Sequence, residues 1–304
     1  MKQRKIFLLC LIGLLLSGGV ALAATPSQES TAVSPYLWGV NLSLYDAKDA
    51  FLRSASTAQF ARQLHVQMIR FPYRGDFAVT TAAAQKIKEV GAVPLLILRY
   101  DDLDANQRLV RMMNGIFGTR TVYYEYSNER DLPENGGIQV DAYTASWNEH
   151  IPPLKKLAPH AQFIGPVNFQ YNAAYLASFV AHAQPRPDAV SWHEYTCDPE
   201  KHERAYCLSH IDNWTSHISG ARQAMRAAIG MELPIMITEW NWSPNPKKSS
   251  LIKDDAFLEE WTMRALQTLI KNRVFAAHHY VLSNNEQLAL LAGEKTLTGA
   301  ARAF

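Results

Sequence analysis

The sequence predicts an α/β fold, a (β/α)8 TIM barrel, on three observations. Short runs of apolar, β-branched and aromatic residues recur along the chain. Stretches with a helical apolar period fill the intervals between them. The runs number eight, the count that closes a parallel barrel. An open doubly wound sheet is the competing fold, but no glycine-rich phosphate loop follows an early run.

Taken in order, the strand-like runs are residues 38–44, 68–73, 93–100, 122–129, 162–169, 189–195, 234–240 and 274–282. Amphipathic stretches at 56–64, 81–90, 141–157, 175–182, 211–229 and 254–272 are the crossover helices that parallel pairing requires. Gly91 follows the helical pattern ending at Val90 and can take the left-handed conformation that closes a helix. Pro94 and Pro234 sit at strand starts, where a missing N–H is tolerated. Barrels of this size run as one domain, so residues 36–304 are expected to form a single unit; a monomer is the expected state.

Ahead of the barrel, residues 1–23 have the make-up of a signal peptide. Met1 to Lys5 is a basic head, an apolar run extends from Ile6 to Leu16, and Ala21-Leu-Ala23 offers small residues for cleavage. Cleavage after Ala23 implies a bacterial protein that is secreted or periplasmic. The alternative is an uncleaved membrane anchor, since Ile6 to Ala24 nearly reaches the length of a span. Residues 24–35 read as a polar tether. After cleavage two cysteines remain, Cys197 and Cys207, and an even pair in an oxidising compartment predicts a disulfide. Free thiols are the other reading; a zinc site with His202 and His210 lacks the paired close spacing such sites favour.

The 304 residues carry 30 Lys+Arg against 28 Asp+Glu, a balance of +2 that is scattered rather than clustered. That excludes nucleic acid as the expected partner and favours an uncharged or weakly charged substrate. No metal or other cofactor is expected.

Active sites of such barrels lie at the carboxyl ends of the strands. Those ends carry polar groups where a structural strand would favour valine: Arg70, Asn128 and Glu129, Asn168, His193 and Tyr195, Glu239 and Trp240, and His279 and Tyr280. Alternation along a strand puts Glu129 on a face with Ser127 and Glu125, and His193 and Tyr195 on one with Ser191, leaving Glu194 opposite to pair with a basic helix residue. Two distant glutamates ending two strands face each other across the rim, the layout of a glycosidase. Trp240, Trp242, Tyr171 and Tyr280 are the aromatic candidates for packing on sugar rings, Trp240 foremost.

The strings Tyr-Glu-Tyr-Ser-Asn-Glu-Arg-Asp-Leu at 124–132 and Thr-Glu-Trp-Asn at 238–241 resemble those of clan A retaining glycoside hydrolases. They look most like family 39 and, more distantly, the cellulase-like family 5. The resemblance spans all eight strand slots. It implies a carbohydrate substrate, Glu129 as general acid/base and Glu239 as nucleophile, with Arg70 keeping Glu239 charged, Tyr195 hydrogen-bonding it, Asn128 holding a sugar hydroxyl, and His193 in a His-x-Tyr pattern. Arg70 has a second reading, as a structural ion pair with Glu125. The chain departs from the family at Arg130, where proline is usual, and at Tyr280, where tryptophan is common.

Two other functional classes compete. A carbohydrate-binding barrel without turnover would keep the same rim. A metal-dependent hydrolase would use His193, His278 and His279, although the first strand, Gly39-Val-Asn-Leu-Ser43, has no His-x-His pair.

Overall fold

The structure is a computed structural model that describes residues 32–198, 200, 202–247, 249–293 and 296–304. The expected signal peptide and residues 24–31 of the tether lie outside the described residues. Among the described residues, no helix is long and apolar enough to cross a membrane.

Eight parallel strands close into a barrel in sequence order. They are β1 Gly39–Asn41, β2 Met68–Pro72, β3 Val93–Leu98, β4 Tyr123–Tyr126, β5 Gln162–Asn168, β6 Ala189–Tyr195, β7 Ile235–Asn241 and β8 Ala276–His279. Closure is made by β1, whose Gly39 pairs with His278 of β8 and with Met68 of β2. Glycine is required there by space: a Cβ would lie 2.6 Å from the Ala277 carbonyl oxygen and 2.8 Å from the His278 ring.

The helices are α1 Ala50–Arg53, α2 Ala55–Gln63, α3 Phe77–Val90, α4 Leu103–Phe117, α5 Val140–Leu157, α6 Ala173–His182, α7 Arg204–Ser209, α8 Asn213–Ile229, α9 Asp255–Lys271 and α10 Gly299–Ala303. Side-chain caps set several starts. Asp76 accepts from the amides of Ala78 and Val79, Asp102 from Ala105, and Asp254 from Phe257. Gly91 closes α3 at φ 91°, as its position in the sequence predicts. Helix α4, capped by Asp102 and buried along Leu109, Val110 and Met113, has no counterpart among the helical stretches read above. The fold also starts slightly before residue 36: Ser34 Oγ donates to the Phe275 carbonyl at 2.6 Å, and Val33 belongs to the same compact unit.

Two apolar layers hold the barrel. Outward strand residues such as Phe71, Leu96, Tyr124, Trp192 and Trp240 are buried under the helices, each contributing about 1.5–3 kcal/mol through burial. Inside, the amino-terminal end is plugged by Met68, Leu95, Tyr123, Ile164, Ala189, Met236 and Ala276. Further along β1, β2, β4, β6 and β8 the interior turns polar, with Asn41, Arg70, Glu125, Ser191, His193 and His278 all buried. That change fixes the end of the barrel at which chemistry is possible.

The expected disulfide is present: Cys197 and Cys207 are bonded with Cα atoms 5.1 Å apart. It ties α7 to the end of β6, where the Cys197 amide donates to the Trp242 carbonyl at 3.0 Å. A Cys197→Ala/Cys207→Ala protein should lose about 3 kcal/mol in urea unfolding, the chain-entropy value for so short a loop. Gly39→Ala should cost about 1–3 kcal/mol through overpacking at the β1–β8 seam, read in the same assay. Wild-type midpoints would contradict either account.

Candidate active site

A cavity of about 580 Å³ opens at the carboxyl rim, lined among others by Asn41, Arg70, Asn128, Glu129, Tyr195, Glu239 and Tyr280. Its floor is the Arg70 guanidinium, 1% exposed. Nε donates to Glu125 Oε2 at 2.5 Å, Nη1 to Glu239 Oε1 at 2.5 Å and Asn41 Oδ1 at 2.9 Å, and Nη2 to Asn128 Oδ1 at 2.6 Å, with His193 Nε2 a further 3.5 Å contact. Both readings of Arg70 therefore hold together, because one side chain pairs with the interior carboxylate and with the rim carboxylate. Burial opposes its charge, but Glu125 and Glu239 outweigh burial and raise its pKa above the usual arginine value.

Glu239 accepts from Tyr195 Oη at 2.7 Å through its other oxygen, Oε2. Burial alone would push this carboxyl up. The charges of His193 and Arg70 and the hydrogen bonds from Tyr195 and Arg70 overcome it, and Glu239 is held below the ordinary carboxylate range. His193 Nδ1 lies 2.7 Å from Glu129 Oε1 and 3.7 Å from Glu239 Oε2, bridging the two acids. Burial disfavours its charged form, yet Glu239 and Glu129 together raise its pKa above the imidazole norm. The arrangement can hold one carboxylate ionised and a second acid facing the same space.

Both glutamates reach the cavity by breaking strand alternation. Regular pairing of β4 ends at Tyr126; Ser127 at φ 75° and Glu129 at φ 47° then turn the chain. Glu129 is placed by this turn, not by sharing a strand face with Ser127 and Glu125. Its amide donates to the carbonyl of Val167 at 2.9 Å, and Val167 itself is at φ 63°. A β-branched residue there stores about 1–3 kcal/mol of strain, a common mark of a functional site. On β7 a register shift against β6 lies between Ile237 and Glu239 and turns Glu239 inward.

The remaining expected residues divide. Asn128 and Tyr280 line the cavity. Trp240 does not: it is fully buried on the outer face, ring centroids 6.0 Å from Trp261 and 4.9 Å from His279. With Glu239 turned in, its strand neighbour must point out. Trp242 packs edge-on against Phe257 at 5.4 Å, and Tyr171 stacks on His217 at 5.3 Å, and neither lines the cavity. Glu194 points outward and meets His217 of α8 at 2.9 Å, as the opposite-face reading predicts. Arg130 lies over the Tyr100 ring at 4.6 Å, and its carbonyl accepts from the Ile138 amide at 2.7 Å.

The three-histidine reading is corrected by the same geometry. His278 faces the interior beside Gly39 while His279 packs outward on Trp240, and burial pushes both down to about 3, so they stay neutral and do not converge with His193. Glu129, His193 and Glu239 do bring three ligand atoms within 4.8 Å of one another, a spacing that suits a metal ion. Arg70 and His193 already supply positive charge to those carboxylates, which weakens the case for a cation there.

Residues the sequence reading missed are Asn41, which accepts from Arg70, and Tyr73, Arg74, Arg99 and Phe169 on the cavity wall. Asn41 ends its strand as the other polar candidates do, and that signal was available.

Because Glu239 is lowered in the fold, its ionised form contributes stability that is fully present above the ordinary carboxylate pKa and is lost as pH falls through the lowered value. His193, raised, contributes stability present below the ordinary imidazole pKa and lost as pH rises through the raised one. Glu239→Gln should therefore flatten the acid arm of a stability-against-pH curve measured by urea unfolding from about pH 7 to about pH 3. An acid arm as steep as wild type would mean that the fold does not hold Glu239 charged.

The fold is shared with solved glycosidases. A family 51 α-L-arabinofuranosidase from Bifidobacterium longum superposes with TM-score 0.69 at 15% identity, covering 89% of this chain and 72% of that one. A family 39 β-xylosidase from Caulobacter crescentus gives TM-score 0.66 at 16% identity, covering 90% and 71%. A family 44 xyloglucanase from Paenibacillus polymyxa gives TM-score 0.61 at 11% identity, covering 83% and 74%. At these identities the likeness is one of fold. No curated protein matches the chain in sequence. The family model of the glycosyl hydrolase catalytic core matches residues 121–304, from the start of β4 to the end of the chain and thus through both rim glutamates; the chain belongs to the glycosyl hydrolase catalytic core family.

Proposed function

We propose that the protein is a retaining, clan A glycosidase that cleaves a β-linked glycan by double displacement. The observation that carries this reading is the approach of Glu129 and Glu239, with carboxylate oxygens within 4.8 Å across one cavity. Retaining enzymes need a separation of roughly 5–5.5 Å, whereas inverting ones need room for a water between the acids. In the first step Glu239 attacks the anomeric carbon as the bond to the leaving oxygen breaks and that oxygen takes a proton from Glu129. In the second, water gives its proton to Glu129, its oxygen bonds to the anomeric carbon, and the ester to Glu239 breaks. Arg70 and Tyr195 hold Glu239 ionised and oriented; His193 orients Glu129; Asn128, fixed by Arg70, presents its amide to the cavity.

Lining residues come from around the whole rim, from Leu42 after β1 to Tyr280 after β8. That breadth supports endo action on a polysaccharide, and the signal-like leader supports a secreted or periplasmic site of action. Tyr280, with Tyr73 and Phe169 on the same wall, takes the sugar-packing part that the buried Trp240 cannot. A sugar-binding barrel without turnover is the second reading, with Arg130 behind Glu129 as its motive.

Glu129→Ala should lose about 10²–10⁴-fold on a glycoside with a poor leaving group and far less on a dinitrophenyl glycoside, which departs without protonation. Azide should speed that variant on the activated substrate by attacking the glycosyl intermediate from the vacated space. Glu239→Ala should remove turnover of both. Equal losses on the two substrates with no azide response would return the protein to the binding-barrel reading.

A further inference from the structure

Glu125 is fully buried on β4, below the cavity, and touches no space a substrate could enter. Its Oε2 receives Arg70 Nε at 2.5 Å, and the opposite edge of the same guanidinium reaches Glu239 Oε1 at 2.5 Å. One cation thus stands between two carboxylates of different fate. Glu239 loses its negative charge when it becomes an ester; Glu125 keeps its own.

We propose that Glu125 is a positioning residue that keeps Arg70 electrically compensated while Glu239 is esterified. Resting on the assignment of Glu239 as nucleophile, the argument is one of charge balance. The oxygen of Glu239 bonds to the anomeric carbon, the leaving oxygen departs with the proton of Glu129, and Glu239 becomes neutral. The negative charge passes to Glu129, which lies on His193 rather than on Arg70, so without Glu125 the buried, permanently charged guanidinium would have no anion in contact, which is strongly unfavourable. With Glu125, a neutral ion pair remains below the ester. In the free enzyme the same sharing prevents Arg70 from spending its whole charge on Glu239, which leaves that carboxylate more nucleophilic. The other charged or titratable groups facing Glu239 are Glu129 beyond β4, His193 and Tyr195 on β6, and Tyr280 beyond β8. Glu125 does not face Glu239 itself but meets the guanidinium at Nε, away from the Nη1 that reaches Glu239.

The signature is a split between the two chemical steps. Glu125→Gln keeps an acceptor for Arg70 Nε but deletes the charge, so the carboxylate of Glu239 is favoured over its ester. Forming the intermediate should slow, lowering kcat/KM for a dinitrophenyl glycoside by about a hundredfold, while breaking it should accelerate, shortening the life of a trapped fluoroglycosyl-enzyme by about tenfold. The acid limb of kcat/KM should move down by about one pH unit, since Glu239 now holds Arg70 alone. A merely structural glutamate would slow both steps or neither and leave the limb in place. Dinitrophenyl β-glucoside and β-xyloside, with their fluorosugar analogues, are the probes, and mass spectrometry locates the trapped sugar. Label outside the peptide that carries Glu239 overturns both the nucleophile assignment and this proposal. Label on Glu239 with wild-type limb and lifetime in Glu125→Gln overturns this proposal alone. If Glu125→Gln does not fold, Glu125→Asp is read instead; it weakens the pair by drawing the charge back, so the same signs are expected at smaller size, and wild-type values overturn the proposal.

Discussion

A guanidinium that cannot lose its proton lies at the centre of the barrel, out of water, and the surrounding structure is arranged to satisfy it. Arg70 sends its N–H groups to Asn41 on β1, Glu125 on β4, Asn128 beyond β4 and Glu239 on β7. A buried charge of this kind is tolerated only when paired and fully hydrogen-bonded. Each acceptor is therefore held by a partner whose fork geometry is rigid. The same contacts that solve the burial problem fix Glu239 to a particular position and rotamer. Stability of the interior and preorganisation of the site are one set of interactions.

The site also depends on places where regular structure stops. An ideal strand would alternate in and out and could not deliver both Asn128 and Glu129 to one cavity. Left-handed backbone at Ser127 and Glu129 makes that possible, with Val167 held in a costly conformation to anchor the Glu129 amide. Below these irregularities the pairing of β3, β4 and β5 runs without a shift from Leu95 to Ile164. The regular part of the sheet supplies the rigidity against which the irregular rim is strained, consistent with strain being retained where the surrounding structure over-determines it.

Fold class was legible because eight apolar runs and their intervening amphipathic periods are collective signals; omitting α4 did not change the count. Arg70, Asn128, Glu129, His193, Tyr195 and Glu239 were legible as polar residues at strand ends, and they gather in one place. Trp240 was misread because an aromatic beside a rim acid looks like a sugar platform, yet alternation already argues against two neighbours on one strand sharing a face. The turn at 127–129 and the β7 register shift leave no comparable mark in composition or period. They arise from pairing with β5 and β6, residues distant in sequence, so a local reading does not find them. Asn41 differs again: it is a polar strand-end residue like the others, but its part as an acceptor for Arg70 depends on the pairing of β1 with β2.

The apolar plug beneath the polar layer completes the electrostatic arrangement. Met68, Leu95, Tyr123, Ile164, Met236 and Ala276 occupy the barrel below Arg70, so water cannot screen the guanidinium from that side. Interactions in such surroundings are far stronger than in solvent. The field of Arg70 is answered by Glu125 within the barrel and otherwise acts upward, on Glu239 and the cavity. Charge is then stabilised by dipoles and ions that are already in place, and little reorganisation is required as a reaction proceeds. An outward-facing arginine at the same rim would be free to move and heavily screened. The inward register of β2, which puts Met68 in the plug and Arg70 in the layer above it, is what turns a sequence of alternating residues into a directed electrostatic site.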